Sequence, residues 1–226
     1  MLLPRWPDQA MADVATRRAR MVTHQLVARG IQDPKVLDAM GSVPREQFVP
    51  AESAVHAYED RPLALLAGQT ISQPYIVALM IEALQLQGGE RVLDIGTGSG
   101  YAAAVLSRIA AWVDSVERIP ELLAFAEPRL SQLNYDNIST HLGDGTMGWP
   151  ENAPYDAILV SAAGPAIPAQ LRVQLAPGGR LVMPVGPELG SQMLWRETRT
   201  GTDDYTRESL GEVRFVPLLG EQGWRV

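Results

Sequence analysis

The sequence predicts an α/β fold with a doubly wound, mostly parallel sheet, preceded by a helical region. Three observations predict it. Short β-type runs alternate with helical patterns from residue 91 to residue 186, which calls for parallel βαβ units. One of those runs, YDAILVSA at 155–162, is almost continuously apolar, as a strand buried on both faces would be. A glycine-rich turn, GTGSG at 96–100, stands where the first run gives way to a helix.

The elements follow in order. Val14, Met21, Val22 and Leu26 fall near helical spacing, so residues 10–29 are expected as a helix that stops at Gly30. Asp33-Pro34 has the form of an N-cap and first helical position, opening a short helix through Val36, Leu37 and Met40. From VPREQFVP to Leu66 prolines and mixed charge predict loops with short helical turns. Ile76, Val77, Met80, Ala83 and Leu84 make one apolar face of a helix that Pro74 opens and Gly88-Gly89 ends. Taken locally, the polar run before Pro74, GQTISQ, is the cap of that helix. Strands are expected at RVLDI (91–95), WVDSVE (112–117), ISTHL (138–142), YDAILVSA (155–162) and GRLVMPVG (179–186). Helices are expected from Tyr101 to about Ala110, from Pro120 to about Leu133, and from Pro168 to Leu175. QMLWRET (192–198) and EVRFVPL (212–218) are expected as late antiparallel strands, joined through the polar TGTDDYTRES. The chain thus divides into a helical N-terminal region, 1–88, with a polar loop at 68–73, and an α/β core, 89–226, that includes the closing antiparallel strands.

Composition narrows the function classes. Of 226 residues, 46% are apolar and 20% charged, enough for a full core and unlike a disordered chain. The net charge of −7 argues against a broad phosphate-binding face, hence against a nucleic-acid partner. With no cysteine, disulfides, thiolate catalysis and cysteine-based zinc sites are excluded. His24, His56 and His141 are scattered without metal-ligand spacing, and no metal is expected. No apolar run approaches membrane-spanning length, and the start, MLLPRWPDQAMADVATRRAR, lacks the apolar core of a secretory signal, so a cytoplasmic protein without a membrane partner is expected.

Three acid-bearing turns carry the chemistry. In VLDIGTGSG (92–100), Gly96, Gly98 and Gly100 let the backbone turn sharply against a ligand, and the helix that follows offers free N–H groups. Asp94 lies at the strand end, where α/β sheets bind ligands. Dinucleotide folds use a different spacing, G-x-G-x-x-G. The spacing here, with an acid two residues before the first glycine, suits a nucleoside carrying a charged amino-acid tail. Glu117, closing the second strand, can accept both hydroxyls of a ribose; it can equally be a solvated carboxylate beside Arg118. Asp144, in GDGT (143–146), can bond an adenine amino group or simply cap an Asp-Gly turn. Together the three turns are expected to form an S-adenosylmethionine site.

GQTISQP, VLDIGTGSGY, SVER, GDGTMGWPENAPYDAILVSAA, LAPGGRLVMPVG and VRFVPLLGEQGW occur in this order. On these motifs the chain, from about residue 20 onward, resembles the protein-L-isoaspartate (D-aspartate) O-methyltransferase family of protein-repair enzymes. The glycine loop is common to many methyltransferases; GQTIS combined with GDG…APYDAI is the specific part. The resemblance implies a seven-stranded, Rossmann-like methyltransferase sheet with a modified order of its last strands, and helical N-terminal additions covering the site. It implies that Ser72 corresponds to the family's active-site serine, and that Gln69, Thr70, Ile71 and Ser72 meet both cofactor and substrate. Ser99, Glu117, Arg118, Asp144 and Gly145 would line the cofactor pocket, with Asp94, Gly96 and Gly98. Val77 stands where some members carry a histidine, so no cofactor role is assigned to it.

The implied reaction methylates the α-carboxylate of L-isoaspartyl residues in damaged proteins and peptides. Such a carboxylate has a pKa of about 4 and is ionised at neutral pH, so neither general base nor metal is needed. The hydroxyls of Thr70 and Ser72, with backbone N–H groups, hold the acceptor, and Ser72 positions it without attacking. S-adenosyl-L-homocysteine is the product, and the methyl ester then closes spontaneously to a succinimide. Extended peptide binding is expected from the turn Ser161-Ala162-Ala163-Gly164 after the fourth strand and from the N-terminal helices; the small residues Ala162, Ala163 and Gly164 either admit the substrate backbone or simply pack closely. Two rival readings are methylation of an aspartate in a ribosomal peptide to give an aspartimide, and a non-catalytic module that binds the cofactor only. Methylation of nucleic-acid amines is disfavoured by SAAGP at 161–165, which lacks an Asn/Asp-Pro-Pro-aromatic motif.

Overall fold

A computed structural model describes residues 8–225 of the chain. The readings made of the first seven residues lie outside the described residues. The N-terminal region carries α1 (Asp8–Met21), which runs on through a π turn at 22–26 and a 3-10 turn at 27–29 to Gly30, whose φ of 98° stops it. Within that π turn the Thr23 hydroxyl bonds back to the Ala19 carbonyl. Helix α2 (Pro34–Ser42) starts as Asp33 predicts: its side chain accepts from the Lys35 N–H at 2.8 Å. Two 3-10 turns follow, at 45–48 and 51–56.

The polar run before Pro74 is more than a cap. Strand β1 (Leu63–Ala64) pairs antiparallel with β2 (Thr70–Ile71), so the chain doubles back through Ala67 and Gly68, both at positive φ. Helix α3 (Pro74–Leu84) then begins with Gln73 at its cap position, yet the Gln73 side chain does not cap; it donates to the Asp60 carbonyl. The helix ends earlier than Gly88-Gly89 because Gln85 turns left-handed, and the Glu90 carboxylate then collects the N–H groups of Gln87 and Gly88.

The main sheet comprises β3 (Arg91–Ile95), β4 (Trp112–Glu117), β5 (Ile138–Leu142), β6 (Tyr155–Val160), β7 (Leu175–Val185), β8 (Gln192–Arg199) and β9 (Tyr205–Val213), in the order β5-β4-β3-β6-β7-β8-β9. The first five are parallel, β8 runs antiparallel to β7 and β9 antiparallel to β8, giving the expected seven-stranded, mostly parallel sheet. Helices α4 (Tyr101–Ser107), α5 (Pro120–Gln132) and α6 (Ala169–Val173) make the crossovers. Period-two alternation divides the core. Val92, Val113 and Leu159 face α2, α3 and α4, while Leu93, Val116 and Ile158 face Tyr155, Leu171 and Trp149.

The last strand was expected at 212–218 but lies at Tyr205–Val213, so TGTDDYTRES is hairpin and strand rather than linker. Most of β9 is exposed at the sheet edge, so no apolar run marks it. The apolar VRFVPL is apolar for another reason: Val216 to Leu219 pass the end of β6, where Pro217 bridges Ala163, and wall the cleft described below.

Candidate active site

The strand order turns back between the parallel neighbours β3 and β6, and a cleft opens at the carboxyl ends of the strands there. It holds about 890 Å³, counting its open mouth. The loops after β3, β4, β5 and β6 meet in it, together with the 69–72 loop and the 216–219 strip.

The glycine loop forms the floor. Gly96, Gly98 and Gly100 all have positive φ, and the Gly96 and Thr97 N–H groups both point to the Val116 carbonyl. At Gly100 a side chain would press on Ala126 and Leu130 of α5 at 3.3 Å. Beneath the loop runs a buried chain: Thr97 Oγ1 and Ser115 Oγ lie 2.7 Å apart, and Ser115 donates to Asp94 Oδ2 at 2.7 Å. Asp94 is wholly buried and its Oδ1 has no partner. Burial raises its pKa to about 7; the Ser115 bond opposes this and the Glu117 charge adds to it.

Glu117 sits at the β4 end with its carboxylate gripped by backbone. Oε2 accepts from Gly98 at 2.9 Å, and Oε1 accepts from Arg118 and Ile119 at 2.8 and 2.9 Å. Three donors hold its orientation, and its remaining lone pairs border the cleft. Ile95, Val116, Ile119 and Leu122 supply apolar walls beside it. Gly145 admits no side chain, since a Cβ there would meet Ile95 Cγ2 at 2.5 Å.

Of the residues singled out in the sequence, Gln69, Thr70, Ile71, Ser72, Gly96, Gly98, Ser99, Glu117, Arg118, Gly145 and Ala162 come together on this wall. Three do not line it. Asp94 lies under the floor. Asp144 spends its carboxylate on the Thr146 N–H and hydroxyl, at 2.9 and 2.7 Å, and on the Glu221 N–H at 2.7 Å. The Thr146 and Glu221 bonds hold its pKa below the usual range despite partial burial. Ala163 is fully buried and exchanges backbone bonds with residues 216–218: its N–H donates to the Val216 carbonyl, and its carbonyl accepts from the Leu218 N–H.

Comparison with known proteins decides the family. The sequence model of the family described as Protein-L-isoaspartate(D-aspartate) O-methyltransferase (PCMT) matches residues 17–223. The chain belongs to the protein-L-isoaspartate(D-aspartate) O-methyltransferase family. A relative from Marinobacter nauticus, "Protein-L-isoaspartate O-methyltransferase 2", is 58% identical over 94% of this chain and 97% of its own. A Protochlamydia amoebophila protein-L-isoaspartate O-methyltransferase is 55% identical over 91% of this chain and 98% of its own. Among solved structures, a protein-L-isoaspartate O-methyltransferase aligns with a TM-score of 0.81 at 31% identity, covering 91% of this chain and 67% of that one. A Plasmodium falciparum protein-L-isoaspartate O-methyltransferase solved with S-adenosyl-L-homocysteine aligns with a TM-score of 0.76 at 26% identity, over 89% and 98% of the two chains.

Within this family member, sequence reasoning missed three parts of the wall: Tyr101, Ile119 with Leu122, and the strip Val216–Leu219. Ser161 and Ala162, from the turn expected to meet the substrate, line it. The strip carried no signal, because its apolar residues look like a strand. Among the described residues no cluster of three or more metal-ligating side chains occurs, and no helix is long and apolar enough to cross a membrane.

Proposed function

We infer that this protein transfers a methyl group from S-adenosylmethionine to the α-carboxylate of L-isoaspartyl residues in damaged proteins and peptides, the first step of their repair. The observation that carries the reading is the cleft where the strand order turns back, in a member of this family, with an oriented acid on one side and a hydroxyl-bearing loop on the other. The residues present fit the cofactor. Glu117 offers acceptor lone pairs for the ribose hydroxyls, and the apolar wall of Ile119 and Leu122 suits a purine face. The unpartnered oxygen of Asp94 beneath the glycine loop provides negative charge for the amino-acid tail, whose ammonium would favour the ionised form. Gln69, Thr70, Ile71, Gly96, Gly98, Ser99, Arg118 and Gly145 complete the pocket, and Asp144 supports its rim through the Glu221 bond. When bound, S-adenosylmethionine supplies a methyl made electrophilic by its sulfonium.

The chain's own part is alignment and water exclusion. The acceptor carboxylate arrives ionised, so no residue needs to take a proton. Ser72 and Thr70 hold it by hydroxyl donation, and Ala162 leaves room for the substrate backbone at the opposite wall. The Val216–Leu219 strip adds an apolar wall to the cleft. Loss of the methyl ester to the neighbouring backbone nitrogen then needs no enzyme. The expected partners are isoaspartyl proteins and peptides of the cytoplasm.

Labelled S-adenosylmethionine with paired peptides differing only in aspartate or isoaspartate tests the reading. Base-labile label on the isoaspartyl peptide alone is expected; label on neither peptide would overturn it. Ser72→Ala should lower kcat about 10- to 100-fold, the cost of losing one well-placed donor, while binding of S-adenosylhomocysteine persists. A covalent adduct on Ser72 would refute its positioning role.

A further inference from the structure

Behind the acceptor loop, and outside the cleft, lies a cation with no counter-charge. Arg45, on the 3-10 turn after α2, is fully buried. Its Nε donates to the Ala57 carbonyl at 2.8 Å, its Nη2 donates to the Ser72 carbonyl at 2.8 Å, and its Nη1 has no partner. The guanidinium lies 4.8 Å from the centroid of the Tyr101 ring. Among the described residues no carboxylate pairs with it; the adjacent Glu46 carboxylate is taken by the Tyr58 hydroxyl.

Burying a guanidinium against two neutral carbonyls and a ring is an expensive way to hold a core together. A long apolar side chain would fill the same space without that cost. What an apolar chain cannot do is bind two carbonyls in a fixed fork. The two carbonyls belong to different segments: Ala57 ends the second 3-10 turn, and Ser72 closes the acceptor loop. Both groups that Arg45 meets toward the cleft, Ser72 and Tyr101, are wall residues, while Arg45 does not line the cleft. The β1–β2 pairing fixes the loop as far as Ile71 and Gln73 is tied to Asp60; between them the Ser72 carbonyl takes its bond from Arg45.

We propose that Arg45 is the positioning residue of the acceptor loop, its guanidinium tying Ser72 to the 51–56 turn and thereby setting the Ser72 hydroxyl against the cofactor cleft. This rests on the reading of Ser72 as the group that holds the acceptor carboxylate. Arg45 touches neither substrate nor cofactor. It acts on kcat through the place of one hydroxyl, and its charge plays no part in proton transfer.

The test compares wild type, Arg45→Lys and Arg45→Met, each alone and combined with Ser72→Ala. Lysine keeps the charge but cannot bind both carbonyls; methionine fills the space and keeps the core packed should the lysine variant melt below the assay temperature. Amide hydrogen exchange across residues 69–73 is expected to rise at least tenfold in both variants, with β3 and α4 unchanged. Turnover of an isoaspartyl peptide is expected to fall at least tenfold, with the affinity for S-adenosylhomocysteine altered less than threefold. In the Arg45→Lys background, Ser72→Ala should cost less than threefold, because the hydroxyl is already misplaced. Unchanged exchange at 69–73, turnover within twofold of wild type, or an undiminished effect of Ser72→Ala would overturn the proposal. A wild type that methylates no isoaspartyl peptide would overturn the functional reading instead, and the exchange comparison would still decide the role of Arg45.

Discussion

Asp94→Asn should make the protein more stable at alkaline pH. Asp94 is completely buried, and burial raises its pKa from 3.8 to about 7. The folded state therefore favours the proton more than the unfolded chain does. The stabilisation that comes with protonation is fully present below pH 3.8 and is lost as pH rises through about 7. At about 1.4 kcal/mol per pH unit, the full loss is ~4 kcal/mol. Asparagine cannot ionise and escapes it. Its amide still needs partners, and only Ser115 is in place; the position of the unpartnered Oδ1 would receive an N–H with nothing to accept it, costing about 1–3 kcal/mol. The net gain at pH 8 is thus ~1–3 kcal/mol, and it should shrink to zero or reverse near pH 5. Urea unfolding followed by tryptophan fluorescence from pH 5 to 8.5 measures both. A stability difference between variant and wild type that does not change with pH would refute the argument, as would a variant less stable than wild type at pH 8.

Other perturbations probe the remaining parts. Glu117→Gln places an amide N–H against one of the three backbone donors that grip the carboxylate, and should weaken S-adenosylhomocysteine binding about 10- to 100-fold by calorimetry; an affinity within twofold of wild type would contradict the ribose role. Gly100→Ala forces a side chain into φ +88° and against Leu130 at 3.3 Å, so a loss of roughly 2 kcal/mol, or about 4–8 °C in Tm, is expected by calorimetric melting. Asp144→Ala removes the acceptor of the Glu221 and Thr146 N–H groups; faster amide exchange across 217–223 and a KM for peptide raised about tenfold should follow, the latter from the ~1.4 kcal/mol that one charge-assisted bond is worth.

Much of the architecture was legible in the sequence because it depends on local rules. Asp33-Pro34 starts a helix through one side-chain bond two residues away, and the five parallel strands declare themselves as short β-type runs between helical patterns. The glycine loop and Glu117 were legible too, since a sharp turn needs glycine and a strand end is where this fold binds ligands. The edge strand Tyr205–Val213 was not, because half of its surroundings are water and no apolar alternation is required of it. Nor was the strip Val216–Leu219, whose apolar residues serve a cleft rather than a sheet.

By itself the sequence determined the fold class, the family motifs and the kind of chemistry: three acid-bearing turns, a hydroxyl-bearing loop, and no base where none is needed. Only the tertiary structure decided how those groups are held. That Asp94 lies beneath the floor, that Asp144 is committed to the C-terminal segment, and that Arg45 carries Ser72 are outcomes of contacts between residues 20 to 80 positions apart. Such contacts depend on burial and on which donors remain unpaired once the chain has packed, and no spacing along the chain encodes them.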